Sequence, residues 1–319
     1  MVSSSTSTDP RVRGSDLLAR ALDAVVGLRR EAEVLAVALE QGCHIVLDGP
    51  PGTGKSTLLR AIATASGRGV QFVEGNAELT PARLLGHHDP ALVLNGGYRD
   101  EAWTDGPLAM AMRAGGLLYL EELNRIPEET LNVLITAMAE REVVVPRLGR
   151  IAAADGFLLV AAMNPFDAVG TARVSQAIAD RMCRIAIGYQ DAEHEREIVR
   201  RETGLAGRGT EVAVAVARGT RTHPAVRLGS SVRGAIDMVR LADGLARLRA
   251  ERPLGRDGLL DAAVASFSGR VRVHEDQDRS VEEVIAELLD RALSAPPAEP
   301  APGTAGAPPD RHRAAGAAR

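Results

Sequence analysis

Lysine is all but missing from this chain of 319 residues: Lys55 is the only one, and every other member of the Lys/Arg class is arginine. Aromatic residues are scarce as well, at 3%, so a core has to be built mainly from Leu, Val, Ile and Ala. Cysteine occurs twice, as Cys43 and Cys183, far apart and without CxxC spacing, which excludes a disulfide framework. Both read as buried small hydrophobes, with a disulfide or metal pair as the alternative. No apolar run approaches the ~18 residues of a membrane span, and the opening stretch MVSSSTSTDPRVR lacks the apolar segment of a secretory signal. The expectation is a soluble, cytoplasmic protein with no membrane insertion. A net charge of −4 supplies no general attraction to nucleic acid or to an anionic membrane.

The rest of the composition, 45% hydrophobic and 25% charged, is that of an ordinary globular protein, and the length suits one large or two medium domains. Residues 1–14 are polar and Ser/Thr-rich, and 295–319 are Pro/Ala/Gly-rich with almost no large apolar side chain. Neither can bury enough surface to offset the entropy of ordering, so both read as disordered. Between them stand five strand-length apolar runs, HIVLDG (44–49), VQFVEG (70–75), LLYLEE (117–122), FLLVAAMN (157–164) and RIAIGY (184–189). Their lack of period-two alternation points to a parallel sheet buried on both faces. The runs alternate with segments of helical spacing, which makes an open α/β sheet over 15–189. Beyond Tyr189 the pattern is helical with no clear strand, defining a second, all-helical domain at 190–294.

Residues 49–56, GPPGTGKS, fit G-x-x-x-x-G-K-[ST] with a strand before and a helix after. The string alone arises by chance in about one in a hundred chains of this length; in that context an incidental turn is remote. The glycines Gly49, Gly52 and Gly54 let backbone N–H groups wrap a phosphate, and the following helix adds its positive end. Lys55 is expected to reach the β- and γ-phosphates of ATP, and Ser56 to offer its hydroxyl to Mg²⁺. Such a slot needs a compact ammonium on a flexible stem, and a planar guanidinium is too broad for it. That requirement accounts for the single surviving lysine. The run GGLLYLEELNR ends its strand in Glu121 and Glu122. By the logic of P-loop ATPases Glu121 belongs to the magnesium shell and Glu122 activates water. Glu121 stands where an Asp is usual, one methylene shorter.

With VVGLRREAEVLAVAL, GPPGTGKST, LLYLEELNRIPEETLNVLITAMAEREVVVP, VAAMNP and QAIADRM, the chain resembles the MoxR branch of AAA+ ATPases, with relatives such as the NorQ, CbbQ and GvpN proteins, over about residues 16–290. The resemblance implies a P-loop AAA+ parallel-sheet sandwich with a smaller helical lid domain. It implies that Asn164 is the sensor-1 residue, that Arg181 is an arginine finger offered to a neighbouring subunit, and that Arg233 is sensor 2. For Arg181 a surface ion pair is the competing reading, with Arg184 close by. Val26 and Gly27 lie where the family packs the adenine, and Pro51, Thr53 and Thr57 complete the nucleotide contacts. Two loops, 79–107 and 140–156, read as hairpins, the first with Asn-Gly-Gly as its turn. In the family such loops face the ring centre, which would bring Arg147 and Arg150 toward a substrate chain. His87 and His88 read as loop histidines, because no third metal ligand is suitably spaced.

The resemblance further implies a homo-oligomeric, hexameric ring that remodels a client protein complex with a von Willebrand A-domain partner. Three other readings compete. A metal-chelatase-type motor subunit would share the insertion and the partner type. An ATP-gated scaffold with little hydrolysis is kept open by Glu121. A nucleic-acid motor is opposed by the charge and by the absence of stacking motifs.

Overall fold

The protein is described here by a computed structural model covering residues 14–165 and 175–296. The expectations for the two ends therefore fall largely outside the described residues. Each apolar run overlaps a strand: β1 Ile45–Asp48, β2 Val70–Glu74, β3 Leu117–Glu121, β4 Leu158–Met163 and β5 Cys183–Ala186, the last beginning one residue before its run. They form one sheet in the order β2-β3-β4-β1-β5, parallel throughout. β1 is therefore interior, flanked by β4 and β5, and its carboxyl end opens into the phosphate loop.

The continuous apolar runs are two interleaved faces. Ile45, Leu47, Leu117, Tyr119, Leu158 and Val160 pack under the helices Gly14–Ala24, Arg29–Glu40 and Lys55–Ser66. Their neighbours Val46, Leu118, Leu120, Leu159 and Ala161 pack on the other side beneath Pro107–Ala114 and Glu128–Glu140. A strand covered on both faces has no solvent side to mark with polar residues, which is why the alternation is invisible in the sequence. Each large side chain removed from water on either face contributes about 1.5–3 kcal/mol before entropy is counted.

Two expectations need correcting. The stretch read as a hairpin with an Asn-Gly-Gly turn is a helix, Pro90–Gly96. Asp89 caps it by accepting from the Ala91 N–H at 2.8 Å, Pro90 takes the first turn where no N–H is needed, and Gly97 ends it. The strands that pair are the short flanks Gly86–His88 and Trp103–Asp105, with His87 opposite Thr104. Cys183, expected to be buried, is exposed because β5 is an edge strand, and Cys43 is half-buried; both are free thiols. The second loop is a hairpin, Glu142–Val145 against Gly149–Ala152.

Past Tyr189 the chain runs through the helices Ala192–Thr203, Arg208–Thr222, Val232–Leu248, Arg256–Phe267 and Val281–Ser294. They enclose their own core around Val216, Ile236, Phe267 and Leu288. A two-stranded ladder, Val226–Leu228 with Arg272–Val273, interrupts the helices and was not anticipated. Among the described residues no helix is long and apolar enough to cross a membrane.

Candidate active site

The loop between β1 and the helix Lys55–Ser66 is shaped by residues that can leave ordinary backbone space. Gly52 sits at φ +72°, and a Cβ there would lie 2.3 Å from Ser231 Oγ. Gly54, at φ +93°, makes the left-handed step into the helix. Thr53 folds inward and donates to the Pro50 carbonyl at 3.0 Å. Lys55 Nζ donates to the carbonyls of Gly49 and Pro50, both at 2.7 Å. Burial holds this amine below the usual lysine pKa, and the Arg233 charge acts in the same direction, while Glu122, Asp48 and Glu121 oppose them. The ammonium is thus partly desolvated among acceptors, a setting in which incoming phosphate oxygens compete well for its protons.

β3 delivers the carboxylates. Glu121 ends the strand and accepts a 2.5 Å hydrogen bond from the Tyr119 hydroxyl on Oε1. Glu122 follows at φ +52°, ψ 47°, a left-handed conformation uncommon outside glycine. Its Oε2 is shielded from solvent and accepts no hydrogen bond, with Arg125 Nε as an ionic neighbour at 3.5 Å. A buried carboxylate oxygen with no donor satisfying it is what a general base needs before substrate arrives. The donor set also fits magnesium. Ser56 and Glu121 are hard oxygen ligands lining the same cavity as the loop, and few protein ligands are usual for that ion beside phosphates.

β4 brings Asn164 to the same space, and the adjacent Asn124 fixes its backbone by donating from Nδ2 to the Asn164 carbonyl at 3.2 Å. The helical region closes the other side. Ser231 caps Val232–Leu248 by accepting from the Arg233 N–H at 3.4 Å, and Arg233 projects from the first turn of that helix into the cavity. Gln190 lies against Gly27: a Cβ on Gly27, at φ +70°, would meet Gln190 Oε1 at 2.2 Å and His194 Cγ at 2.7 Å. Position 27 therefore lets the linker to the helices pass close beside the Val26 side of the cavity.

The cavity encloses about 550 Å³, within the range for a small ligand. Residues 51–57 of the loop line it together with Val26, Glu121, Glu122, Asn164 and Arg233. Gly27 and Gly49 stand just behind the lining, Gly49 tied to β4 through its N–H and the Met163 carbonyl at 3.3 Å. Arg181 is not among the lining residues; it is exposed, just past the helix Gln176–Ala179, and donates to the Ala177 carbonyl at 2.8 Å. Arg184, the competing candidate, is engaged within its own chain, donating from Nε to Asp48 Oδ2 at 2.6 Å. Arg147 stacks over Tyr98 at 3.9 Å, and Arg150 pairs with Glu142 at 3.1 Å. His88 packs edge-on against Tyr98 and Trp103, with centroids 5.0 Å away in each case. Sequence reasoning assigned no role to Tyr119, Asn124, Gln190 or Ser231. Asn124 at least carried a signal, as a polar residue two positions past the paired carboxylates.

A family model described as an AAA domain of the dynein-related subfamily matches residues 44–182. Protein NorQ of Paracoccus denitrificans is 31% identical over 206 residues, spanning 64% of this chain and 70% of that protein. The gas vesicle ATPase GvpN of Ancylobacter aquaticus is 29% identical over 220 residues, 64% of this chain and 62% of the relative. Among solved structures, the RuvB Holliday junction branch migration motor of Thermotoga maritima aligns with a TM-score of 0.51. That alignment spans 78% of this chain and 72% of RuvB at 19% identity, a likeness that speaks for the fold alone. Phosphate loop, paired carboxylates, parallel sheet and sequence kinship agree: the chain belongs to the MoxR-type AAA+ ATPases, enzymes that hydrolyse ATP.

Proposed function

We propose that the chain is one subunit of a homo-oligomeric, hexameric ring in the cytoplasm. It hydrolyses Mg-ATP to remodel or activate a client protein complex together with a von Willebrand A-domain partner. Residues 15–189 form the nucleotide-binding domain in this reading, and 190–294 the lid. Support comes chiefly from one observation. The loop, Glu121, Glu122, Asn164 and Arg233 share one cavity, while Arg181 is exposed outside it. A group that serves a neighbour's site has to face away from its own.

The roles in this reading join the geometry to the family resemblance. Backbone N–H groups of 49–55 and the helix end hold the phosphates, with Lys55 exchanging its two carbonyl partners for β- and γ-oxygens. When bound at Ser56 and Glu121, Mg²⁺ supplies neutralising charge at those oxygens. Glu122 Oε2 accepts a proton from the water that Asn164 orients. The water oxygen attacks the γ-phosphorus, the bond to the β–γ bridging oxygen breaks, and ADP leaves with that electron pair. Arg233 in cis and Arg181 in trans balance the charge that develops. Because the lid's Ser231 touches Gly52 of the loop, loss of the γ-phosphate can be felt by the helices. Ring-facing loops then transmit the motion to the client.

The test is turnover measured over a wide range of protein concentration, beside Lys55→Ala, Glu122→Gln and Arg181→Ala. Specific activity should rise with concentration, and Arg181→Ala should lower it on the order of 10³-fold. Mixing Arg181→Ala subunits with Glu122→Gln subunits should restore part of the activity, since some interfaces then hold both groups. Flat activity that survives Arg181→Ala would leave a monomeric enzyme, and ATP binding without turnover would favour a scaffold.

A further inference from the structure

We propose that Tyr119 is a positioning residue of the metal site, holding Glu121 in place and making up for the extra methylene that distinguishes it from Asp. The inference rests on the assignment of Glu121 to the magnesium shell. Tyr119 and Glu121 are two residues apart on β3, so they project from the same face of the sheet, toward the helix that begins at Lys55. The Tyr119 ring is buried and packs edge-on against Phe72 of β2, with centroids 5.3 Å apart and planes at 64°. Packing therefore fixes where the hydroxyl ends up. It donates to Glu121 Oε1 at 2.5 Å, and the Ser56 side chain is near enough to influence this phenol. The hydroxyl thus holds the strand's metal-assigned carboxylate on the side of the phosphate loop's Ser56.

The chemistry gives that contact a purpose. Glu has one more rotatable bond than Asp, and a Glu at a strand end can swing its carboxylate over several ångströms unless something holds it. A hydrogen bond from a packed phenol to the charged carboxylate is of the strong, charge-assisted kind. It engages Oε1 and leaves Oε2 to face the metal shell. An Asp at 121 would be too short to reach the hydroxyl and would need no tether. The run LLYLE thus carries its own compensation, a tyrosine two residues before the lengthened acid.

Removing the hydroxyl alone, by Tyr119→Phe, keeps the ring against Phe72. The assay is binding of a fluorescent ATP analogue during a Mg²⁺ titration. All proteins carry Glu122→Gln to prevent turnover, and thermal unfolding is recorded for each. Tyr119→Phe should raise the half-saturating Mg²⁺ concentration on the order of tenfold. It should leave Mg²⁺-free ATP affinity and the melting temperature nearly unchanged. In a Glu121→Asp background the same substitution should change the Mg²⁺ requirement less than about twofold, because the tether has nothing to hold. An equal increase in both backgrounds would overturn the proposal, since Tyr119 would then act through packing. No increase in the Glu121 background would overturn it too. Glu121→Gln separates the two layers. If it leaves the Mg²⁺ requirement untouched, the metal assignment fails and takes the tether with it. A large effect of Glu121→Gln with none from Tyr119→Phe removes the tether alone.

Discussion

His44 stands immediately before the strand that delivers the phosphate loop, and acidification should unlatch the fold there. Its Nδ1 accepts the Leu159 N–H of β4 at 2.9 Å, and its ring lies edge-on to Phe157 with centroids 6.1 Å apart. Burial, and then the nearby Arg141 charge, bring its pKa from 6.5 down to about 4. A proton on this imidazole would cost Nδ1 its lone pair and leave the Leu159 N–H facing another donor. The sign follows from the direction of the shift. The folded pKa lies below the unfolded one, so the contribution of neutral His44 is complete above about pH 6.5 and fades as pH falls toward about 4. With 1.36 kcal/mol per pKa unit, the whole window is worth about 3 kcal/mol, and the part between pH 7 and pH 5 about 2 kcal/mol. His44→Asn keeps an acceptor near the position of Nδ1 but does not titrate. Urea unfolding of the full chain and of His44→Asn at pH 7 and pH 5 isolates the term, because other titrating groups cancel in the difference. The variant should lose about 2 kcal/mol less than the parent over that interval. Parallel losses would refute the reasoning, and so would a His44 imidazole that titrates near 6.5 by NMR.

Other outcomes follow from single contacts. Lys55→Arg should abolish ATP binding almost as fully as Lys55→Ala, by equilibrium dialysis, because the slot that holds Nζ 2.7 Å from two carbonyls has no width for a guanidinium. Gly52→Ala places a methyl 2.3 Å from Ser231 Oγ at φ +72°, so ATP affinity should fall. Adding Ser231→Gly should recover the clash component but not the backbone cost of about 1 kcal/mol. Arg184→Ala removes the cation beside Asp48, which is only 3% exposed; stability to urea should drop by about 3 kcal/mol, and Asp48→Asn in the same chain should restore part of it.

Much of the sheet could be read in advance because each strand is an apolar run longer than a turn and shorter than a helix. Residues 44–49 contain Ile45–Asp48, and 157–164 contain Leu158–Met163. The misreadings have separate causes. Asn95-Gly96 carries a turn signal, yet Asp89-Pro90 carries a helix-start signal, and the latter prevailed because capping acts within one turn and needs no partner strand. The exposure of Cys183 depends on β5 lying at the sheet edge, which strand order decides and local sequence does not. At the site, the loop and carboxylates announce themselves because phosphate chemistry demands particular residues at set spacings. Tyr119 does not, since within an apolar run a tyrosine reads as core, and its hydroxyl contact depends on the ring packing against Phe72. Ser231 comes to the loop from 176 residues beyond Lys55, and Gln190 to the cavity from 135; only the packing of the helices on the loop brings them there.

The backbone at Glu122 shows what the site costs the fold. A residue with a Cβ at φ +52°, ψ 47° gives up about 1 kcal/mol relative to glycine. That conformation turns the chain directly after β3, so that two adjacent residues can both serve the cavity, whereas successive strand residues point to opposite faces. Glu121 and Glu122 both line it. Selection for stability alone would favour glycine at 122, whereas the water-activating role proposed for Glu122 requires a carboxylate. The two can be separated by comparing Glu122→Gly with Glu122→Ala, which lack the carboxylate equally and differ only in tolerance of the left-handed turn. Neither should turn over ATP. Glu122→Gly should nonetheless be the more stable of the two by about 1 kcal/mol in urea unfolding, even though glycine elsewhere lowers stability by loosening the unfolded chain. If the alanine variant proves equally stable or better, position 122 is not held in the left-handed region in solution. The simultaneous presentation of both carboxylates would then need a different backbone explanation.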